Sequence, residues 1–448
     1  MSIPRLLLAP SHRTGLANAL AAALSEIMTA QGRKVRYHHL GPLTPGSCWD
    51  RWEGTAFLDP DLYDDENLLR LYDVATRSAN LSLLSASQGI LDRRGDSRWR
   101  PADVALLLDC PSVLVLDGRK WGAGIQALAA GLRTHLSTLN LAGAILTGVS
   151  DRGHYEMLRE ALAAEALPVV GCLYEGDGPG WDTPAPGAWG LPLDQAMLEA
   201  VERQVDVAAL VDMAGQRGFL TAHNLLTDRG SEGPLVMVAG GAGFTPWSRD
   251  SIEVLRAAGA RIRRLDLIDD EVLPAEAAGL VLAGTIWPSS LIDIAINQPL
   301  LADLRTRIAA GMPTLALGGG FLVLLNRVQD SLGRTVELTG VLPGDGEILW
   351  DLEDAAYVDV TAVRENPLLD TGQRAKGWVL TDVDIPDPAP TWEPPLLLRS
   401  VGVAQEQPEG AGTRSLLCSR AFIHLAGAPG IAARFVQECA VYASGRFW

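Results

Sequence analysis

Lysine is almost missing from this chain. Lys34, Lys120 and Lys376 are the only three, and arginine supplies the rest of the 37 cationic side chains. Set against 54 acidic residues, this leaves a formal charge of −17. That balance excludes wholesale nucleic-acid binding, because a phosphate backbone needs a basic surface, and no basic stripe is legible in the sequence. Cysteine is equally sparse. Cys48, Cys110, Cys172, Cys418 and Cys439 lie far apart, odd in number and without a CxxC pair. This argues against a zinc site or a disulfide framework and fits reduced thiols in a cytoplasm. No apolar run approaches the ~18 residues that a bilayer span needs. The short run Leu6–Ala9 is cut off by Pro10 and by His12-Arg13, which reads as a buried first strand rather than a signal peptide.

What is present is an alternating pattern on a chain of 448 residues, too long for one ordinary core and expected to form two domains. Leu6–Leu8 is followed by an amphipathic stretch from Gly15 to Gln31, with Leu16, Leu20, Leu24 and Ile27 on one face. Further strands are expected at 35–37, 104–108, 113–116, 144–146 and 169–170, with helices near 122–137 and 153–166. Strands alternating with helices imply an α/β fold with a mainly parallel sheet covered on both faces. A Gly/Pro/Trp-rich stretch from Gly176 to Pro192 ends this half, placing a first domain at 1–192 and a helical linker at 193–232. A second domain, 233–448, restarts with strands at 235–239, 279–283 and 314–317 and a helix near 248–258. Residues 345–425 then change to short alternating runs, as in an antiparallel extension, before a last helix near 428–443. The proline-rich segment 385–395 reads as a surface loop.

Two strand–turn–helix junctions stand out. In Ser11-His12-Arg13-Thr14-Gly15, free backbone N–H groups and a helix dipole would favour a phosphate. A working nucleotide loop also needs a lysine and a hydroxyl residue next, and here Leu16 and Ala17 follow. The second junction, Leu317-Gly318-Gly319-Gly320, has the pattern of a nucleophile elbow, with glycine where a Cys or Ser would stand. His424 is a candidate base with nothing at Gly318 to activate. Cys418 is a candidate migrated nucleophile, although packing inside a strand is its simpler role. His12, His38 and His39 are candidate metal ligands, with solvated or hydrogen-bonded side chains the simpler reading, and no metal site is assigned.

Over its whole length the chain resembles the cobyrinate a,c-diamide synthase family, in which a dethiobiotin-synthetase-like ATP domain precedes a class I glutamine amidotransferase-like domain. Ser11–Gly15 sits where that family has its P-loop, as a weak phosphate-loop remnant. His39-Leu40-Gly41-Pro42 is similar to its K-x-G-P-D segment, Phe57-Leu58-Asp59-Pro60 to N-L-D-P, and Gly89-Ile90-Leu91-Asp92 to G-L-Y-D. In the second half, Asp269–Pro274 is similar to D-x-x-L-P and Ala283–Pro288 to G-G-Y-P-E. Ala316–Gly320 falls on A-E-C-G-G, and Phe422–Ala426 on the terminal Y-x-H-x-H. The resemblance implies a P-loop NTPase-like domain followed by a flavodoxin-like domain with an antiparallel extension.

The departures fall on the reactive positions. The resemblance puts the phosphate lysine at Leu16, its hydroxyl neighbour at Ala17 and an acidic residue near Ser85. It puts the nucleophilic cysteine at Gly318, the glutamate before it at Leu317 and a second histidine at Ala426. Family members amidate carboxylates of a corrin-type macrocycle, using ATP to form an acyl phosphate that glutamine-derived ammonia attacks. The expectation is therefore a non-catalytic paralogue: a binding, chaperone or regulatory subunit in a tetrapyrrole pathway. Trp189, Trp247, Trp287 and Trp378 are the candidate lining of its ligand pocket. The implied partners are a tetrapyrrole, an active paralogue or a second copy of the chain, with no nucleic acid and no membrane. The alternative is a divergent amidoligase using ATP, Mg²⁺ and glutamine or ammonia, with Lys34 or Arg13 substituting for the missing lysine.

Overall fold

The computed structural model describes residues 3–41, 56–93, 97–177, 195–220, 232–246, 248–349, 355–380, 383–385, 392–400, 402–428 and 430–445. Trp189, Trp247, Cys48 and most of 228–233 lie outside them. The described chain divides into two compact units, one up to Leu220 and one from Glu232.

In the first unit, seven strands form one wholly parallel sheet. They are β1 (Arg5–Pro10), β2 (Val35–Leu40), β3 (Ala56–Leu58), β4 (Leu81–Ala86), β5 (Ser112–Asp117), β6 (Leu141–Val149) and β7 (Val169–Tyr174), in the order β3-β2-β4-β1-β5-β6-β7. Every residue of β1 and of β4 is buried, as a strand covered on both faces requires. The alanine-rich helix Leu16–Ala30 packs close to the sheet because so many of its inward positions are small. The helices Gln195–Gln204 and Val207–Ala214, within the stretch expected as a linker, add Met197, Ala200, Val201, Leu210 and Ala214 to the same core.

One expected strand is corrected. Val104–Leu108 lies in the helix Pro101–Leu107 and its cap. Pro101 begins that helix and Asp103 reaches back to the Arg100 N–H at 2.8 Å, a start signal that a short apolar run conceals.

The second unit has β8 (Leu235–Ala239), β9 (Phe244–Pro246), β10 (Arg261–Leu265), β11 (Ala277–Ile286) and β12 (Thr314–Gly318). The sheet runs β10-β8-β11-β12, then the strands Leu416–Ser419 and Ala411–Gly412, with β9 antiparallel to the end of β11. Counting only its parallel strands, the order is 2-1-3-4-5, the flavodoxin-like winding. The antiparallel extension is also present. Ala356–Ala362, Arg374–Val379, Leu396–Ser400, Gln407–Glu409 and Ala421–Ile423 form a five-stranded antiparallel sheet. The α/β class with two parallel sheets is thus as expected.

Candidate functional site

At the first junction β1 ends in the loop Ser11–Thr14, and Gly15 caps the helix Leu16–Ala30 with φ −75° and ψ −6°. That is ordinary right-handed backbone, and a Cβ at Gly15 would meet nothing within 4 Å. Glycine is therefore not demanded here by geometry. The loop's donors are partly engaged by the protein itself. The Thr14 N–H donates to the Ser87 carbonyl at 2.8 Å and the Leu16 N–H to Thr14 Oγ1 at 3.2 Å. Leu16 and Ala17 are buried in the apolar core beneath the loop. Lys34 cannot stand in for a loop lysine. It precedes β2, at the opposite edge of a parallel sheet, and its N–H bonds to Asn80 Oδ1 at 3.0 Å. Arg13 is exposed on the loop itself.

Below the loop lies a buried neutral network that sequence reading missed. Ser85 Oγ donates to Asn18 Oδ1 at 2.6 Å, Asn18 Nδ2 donates to Ser87 Oγ at 2.9 Å, and the Tyr37 hydroxyl is 2.7 Å from Ser85 Oγ. Asn18 and Ser85 are both fully buried. With Ser85 donating to Asn18, Tyr37 must be the donor to Ser85, so the chain has one direction. It fills with neutral groups the place where the resemblance puts an acidic residue. The segment carrying Asp92 is docked on the loop, with the Ile90 N–H on the Pro10 carbonyl at 2.8 Å. At the end of β5, Asp117 is bound by Arg119 through Nε at 2.8 Å and NH2 at 2.6 Å. Burial would raise the Asp117 carboxyl, but hydrogen bonds from Arg119 outweigh it and hold the group below its usual value, with His12 adding to this. A strand ending in Asp, two residues before Arg, was the available signal.

At the second junction the backbone has the elbow conformation. Gly318 sits at φ 59° and ψ −125°, between β12 and the helix Gly319–Leu324. Its two neighbours are glycine for a different reason. A Cβ on Gly319 would lie 2.8 Å from the Ile286 nitrogen, and one on Gly320 would lie 1.7 Å from the Leu282 carbonyl. The glycine triplet thus joins one conformational requirement to two packing requirements. Leu317 is buried and borders a small apolar cavity with Pro246, Ser248 and Phe422.

His424 follows the strand Ala421–Ile423 and is fully buried. The Ala426 N–H donates to its Nδ1 at 3.1 Å, which leaves the ring proton on Nε2, 3.4 Å from Ser248 Oγ. Ser248 Oγ also accepts from the Ser251 N–H at 3.0 Å and caps the helix Arg249–Ala257. A triad base needs the other tautomer, with Nδ1–H donating and Nε2 accepting the nucleophile's proton. Burial also lowers the His424 pKa to about 3.

The remaining candidates are interior groups. Trp287 is buried and donates from Nε1 to Thr245 Oγ1 at 2.8 Å. Trp378 is buried against Phe422, with ring centroids 4.7 Å apart. Both are thus interior groups held by neighbouring side chains, and Trp189 and Trp247 are outside the described residues. Cys418 is fully buried beside Ala316 in the sheet, and burial pushes its thiol well up, both of which fit the packing role. His38 packs on Tyr72 and His39 on Phe57, both buried.

No family model matches the chain. Its relatives match end to end. It is 29% identical to the hydrogenobyrinate a,c-diamide synthase of Thermobifida fusca, over 97% of this chain and 96% of that protein. It is 26% identical to the Streptomyces coelicolor protein of that name, over 98% of each. It is 23% identical to the cobyrinate a,c-diamide synthase of Dehalococcoides mccartyi, again over 98% of each. Among solved structures, a putative GMP synthase subunit from Thermoplasma acidophilum is 16% identical, with a TM-score of 0.33 over 48% of this chain and 99% of that one. Relatives of one kind cover nearly every residue of both partners, and over its whole length this chain is similar to hydrogenobyrinate and cobyrinate a,c-diamide synthases.

Proposed function

We propose that this protein is a non-catalytic member of its family, kept as a binding, chaperone or regulatory subunit in a tetrapyrrole pathway. The observation that carries this reading is the burial of Leu16 and Ala17 in the core under the first junction. Amidation through an acyl phosphate needs the nucleotide whichever source supplies ammonia. Phosphoryl transfer rests on positioning and charge neutralisation, and two apolar side chains turned into a core supply neither. The second junction supports the same reading. Gly318 has no side chain to act as nucleophile, and His424 carries the tautomer opposite to that of a base.

The test is amidation of hydrogenobyrinate and cobyrinate with ATP, Mg²⁺ and either glutamine or ammonium. No amide product from either nitrogen source is expected, nor any rise in melting temperature with ATP. Absorbance titration with the same two macrocycles, and with a porphyrin, is expected to show saturable binding. ATP-dependent product would overturn the non-catalytic reading. Absence of any macrocycle binding would overturn the tetrapyrrole part and leave the scaffold role, read by co-purification with a catalytically complete paralogue or as a homodimer.

The second reading is a divergent amidoligase using ammonia. The exposed Arg13 on the first loop favours it, as does the retained elbow backbone at Gly318. Arg13 and the N-terminus of the helix Leu16–Ala30 are the groups that would hold ATP phosphates. Asp92, on the segment docked against the loop, is the carboxylate that would take Mg²⁺.

A further inference from the structure

The tetrapeptide Ser248-Arg249-Asp250-Ser251 carries a serine at each end and opens the helix Arg249–Ala257. A serine at the N-cap spends its oxygen on a backbone N–H, and one three residues later ordinarily faces solvent or bonds back to a carbonyl. Here both turn inward. Ser248 is 4% and Ser251 9% exposed, and the two line one cavity of about 20 Å³ within the second unit. Its other walls are apolar, with Val238 from β8, Val281 from β11, Leu315 and Leu317 from β12, and Phe422. The two hydroxyls are the polar part of this otherwise apolar lining.

A hydroxyl oxygen has two lone pairs and one proton. The lone pairs of Ser248 Oγ are taken by the Ser251 N–H at 3.0 Å and by the His424 Nε2–H at 3.4 Å, in the tautomer that the Ala426 N–H imposes. Its proton has no acceptor among the described residues. Ser251 Oγ is buried with no hydrogen-bond partner among them. A buried hydroxyl left unpaired forfeits the bonds it makes to water in the unfolded chain. Because Ser248 Oγ lies on the backbone nitrogen of Ser251 itself, one small molecule in the cavity can touch both hydroxyls.

We propose that this cavity holds one ordered water, which accepts the Ser248 hydroxyl proton and pairs with the Ser251 hydroxyl. A buried water needs roughly 10–15 Å³ of such space and at least two polar partners. The cavity meets both needs and admits a single molecule. The water completes a directed chain, from the His424 Nε2–H to Ser248 and on to the water. It thereby fixes the Ser248 hydroxyl with its lone pairs toward the ring, and so helps to hold His424 in the tautomer unsuited to a base.

The test is a high-resolution crystal structure of the full chain, alone and under xenon pressure, joined to oxygen-17 relaxation dispersion in solution. One water peak is expected within hydrogen-bond reach of both Ser248 Oγ and Ser251 Oγ, and it should persist under xenon. Ser251→Ala should lose that peak, and relaxation dispersion should count one long-lived water fewer than in the wild type. Circular dichroism identifies a variant that has lost its fold, and the wild-type structures then carry the decision. A wild-type cavity without a water peak, or one that takes up xenon in its place, overturns the proposal. So does a peak that stays unchanged in Ser251→Ala. The site uses no macrocycle or nucleotide contact, so its failure leaves the proposed function untouched.

Discussion

At the scale of single residues, the two glycines at the junctions differ in kind. Gly15 has an ordinary right-handed backbone and open space around it, whereas Gly318 has φ 59° and ψ −125°. Gly318→Ala is therefore expected to destabilise by about 1–3 kcal/mol through backbone strain. Gly15→Ala should change stability by less than about 1 kcal/mol. Urea denaturation of the two variants checks this, and equal midpoints would refute the contrast. His424 gives a pH dependence. Its folded-state pKa is about 3 because burial disfavours the cation, while an unfolded imidazole titrates near ~6.5. Between those values only the unfolded chain takes up the proton, so stability is lost as pH falls through that window. The limiting slope is about 1.4 kcal/mol per pH unit. His424→Gln should flatten the fall in urea midpoint measured from about pH 6.5 to about pH 4.5, and an unchanged slope would count against a neutral buried ring.

At the scale of elements, the start of β1 carries a buried clasp. Arg5 is fully buried, and it donates to the carbonyls of Asp109 at 3.3 Å, Ile3 at 3.3 Å and Gly218 at 2.8 Å. The Asp109 carboxylate accepts the Gly218 N–H in return, with Asp109 itself held at φ 44°. The segment after the helix Val207–Ala214 is thus tied to the amino edge of the first sheet. Arg5→Met removes the donors and leaves the carbonyls buried. A loss of about 3 kcal/mol is expected, with faster amide exchange at 216–220 as the local signature. Exchange that speeds up uniformly across the first unit would argue against a clasp.

At the scale of the whole molecule, net charge sets the response to salt. Seventeen excess negative charges repel one another at long range, while exposed ion pairs such as Arg327–Asp345 each contribute little. Raising NaCl from about 0.02 M to about 0.3 M should therefore raise the melting temperature, and a fall would show that the pairs outweigh the repulsion. Among the described residues no helix is long and apolar enough to cross a membrane.

Periodicity and punctuation determined the α/β class, the parallel character of both sheets and both junctions, because a buried strand and an amphipathic helix each write a short-range pattern, although β3 and the buried β4 went unread. The end-to-end order of segments also carried the resemblance to the a,c-diamide synthases that the relatives bear out. The helix Pro101–Leu107 escaped, since a run of apolar residues has no period of its own, and β10 escaped because Arg261, Arg263 and Arg264 mask a strand. Tertiary structure alone decided what the reactive positions became. Burial carried Ala17 into the core beside Leu16, whose place on the apolar face was already legible, and a backbone N–H chose the tautomer of His424. The neutral chain through Tyr37, Ser85, Asn18 and Ser87 joins residues from three elements and a loop. Each of these depends on which groups meet across the fold, and a linear pattern carries no record of such meetings.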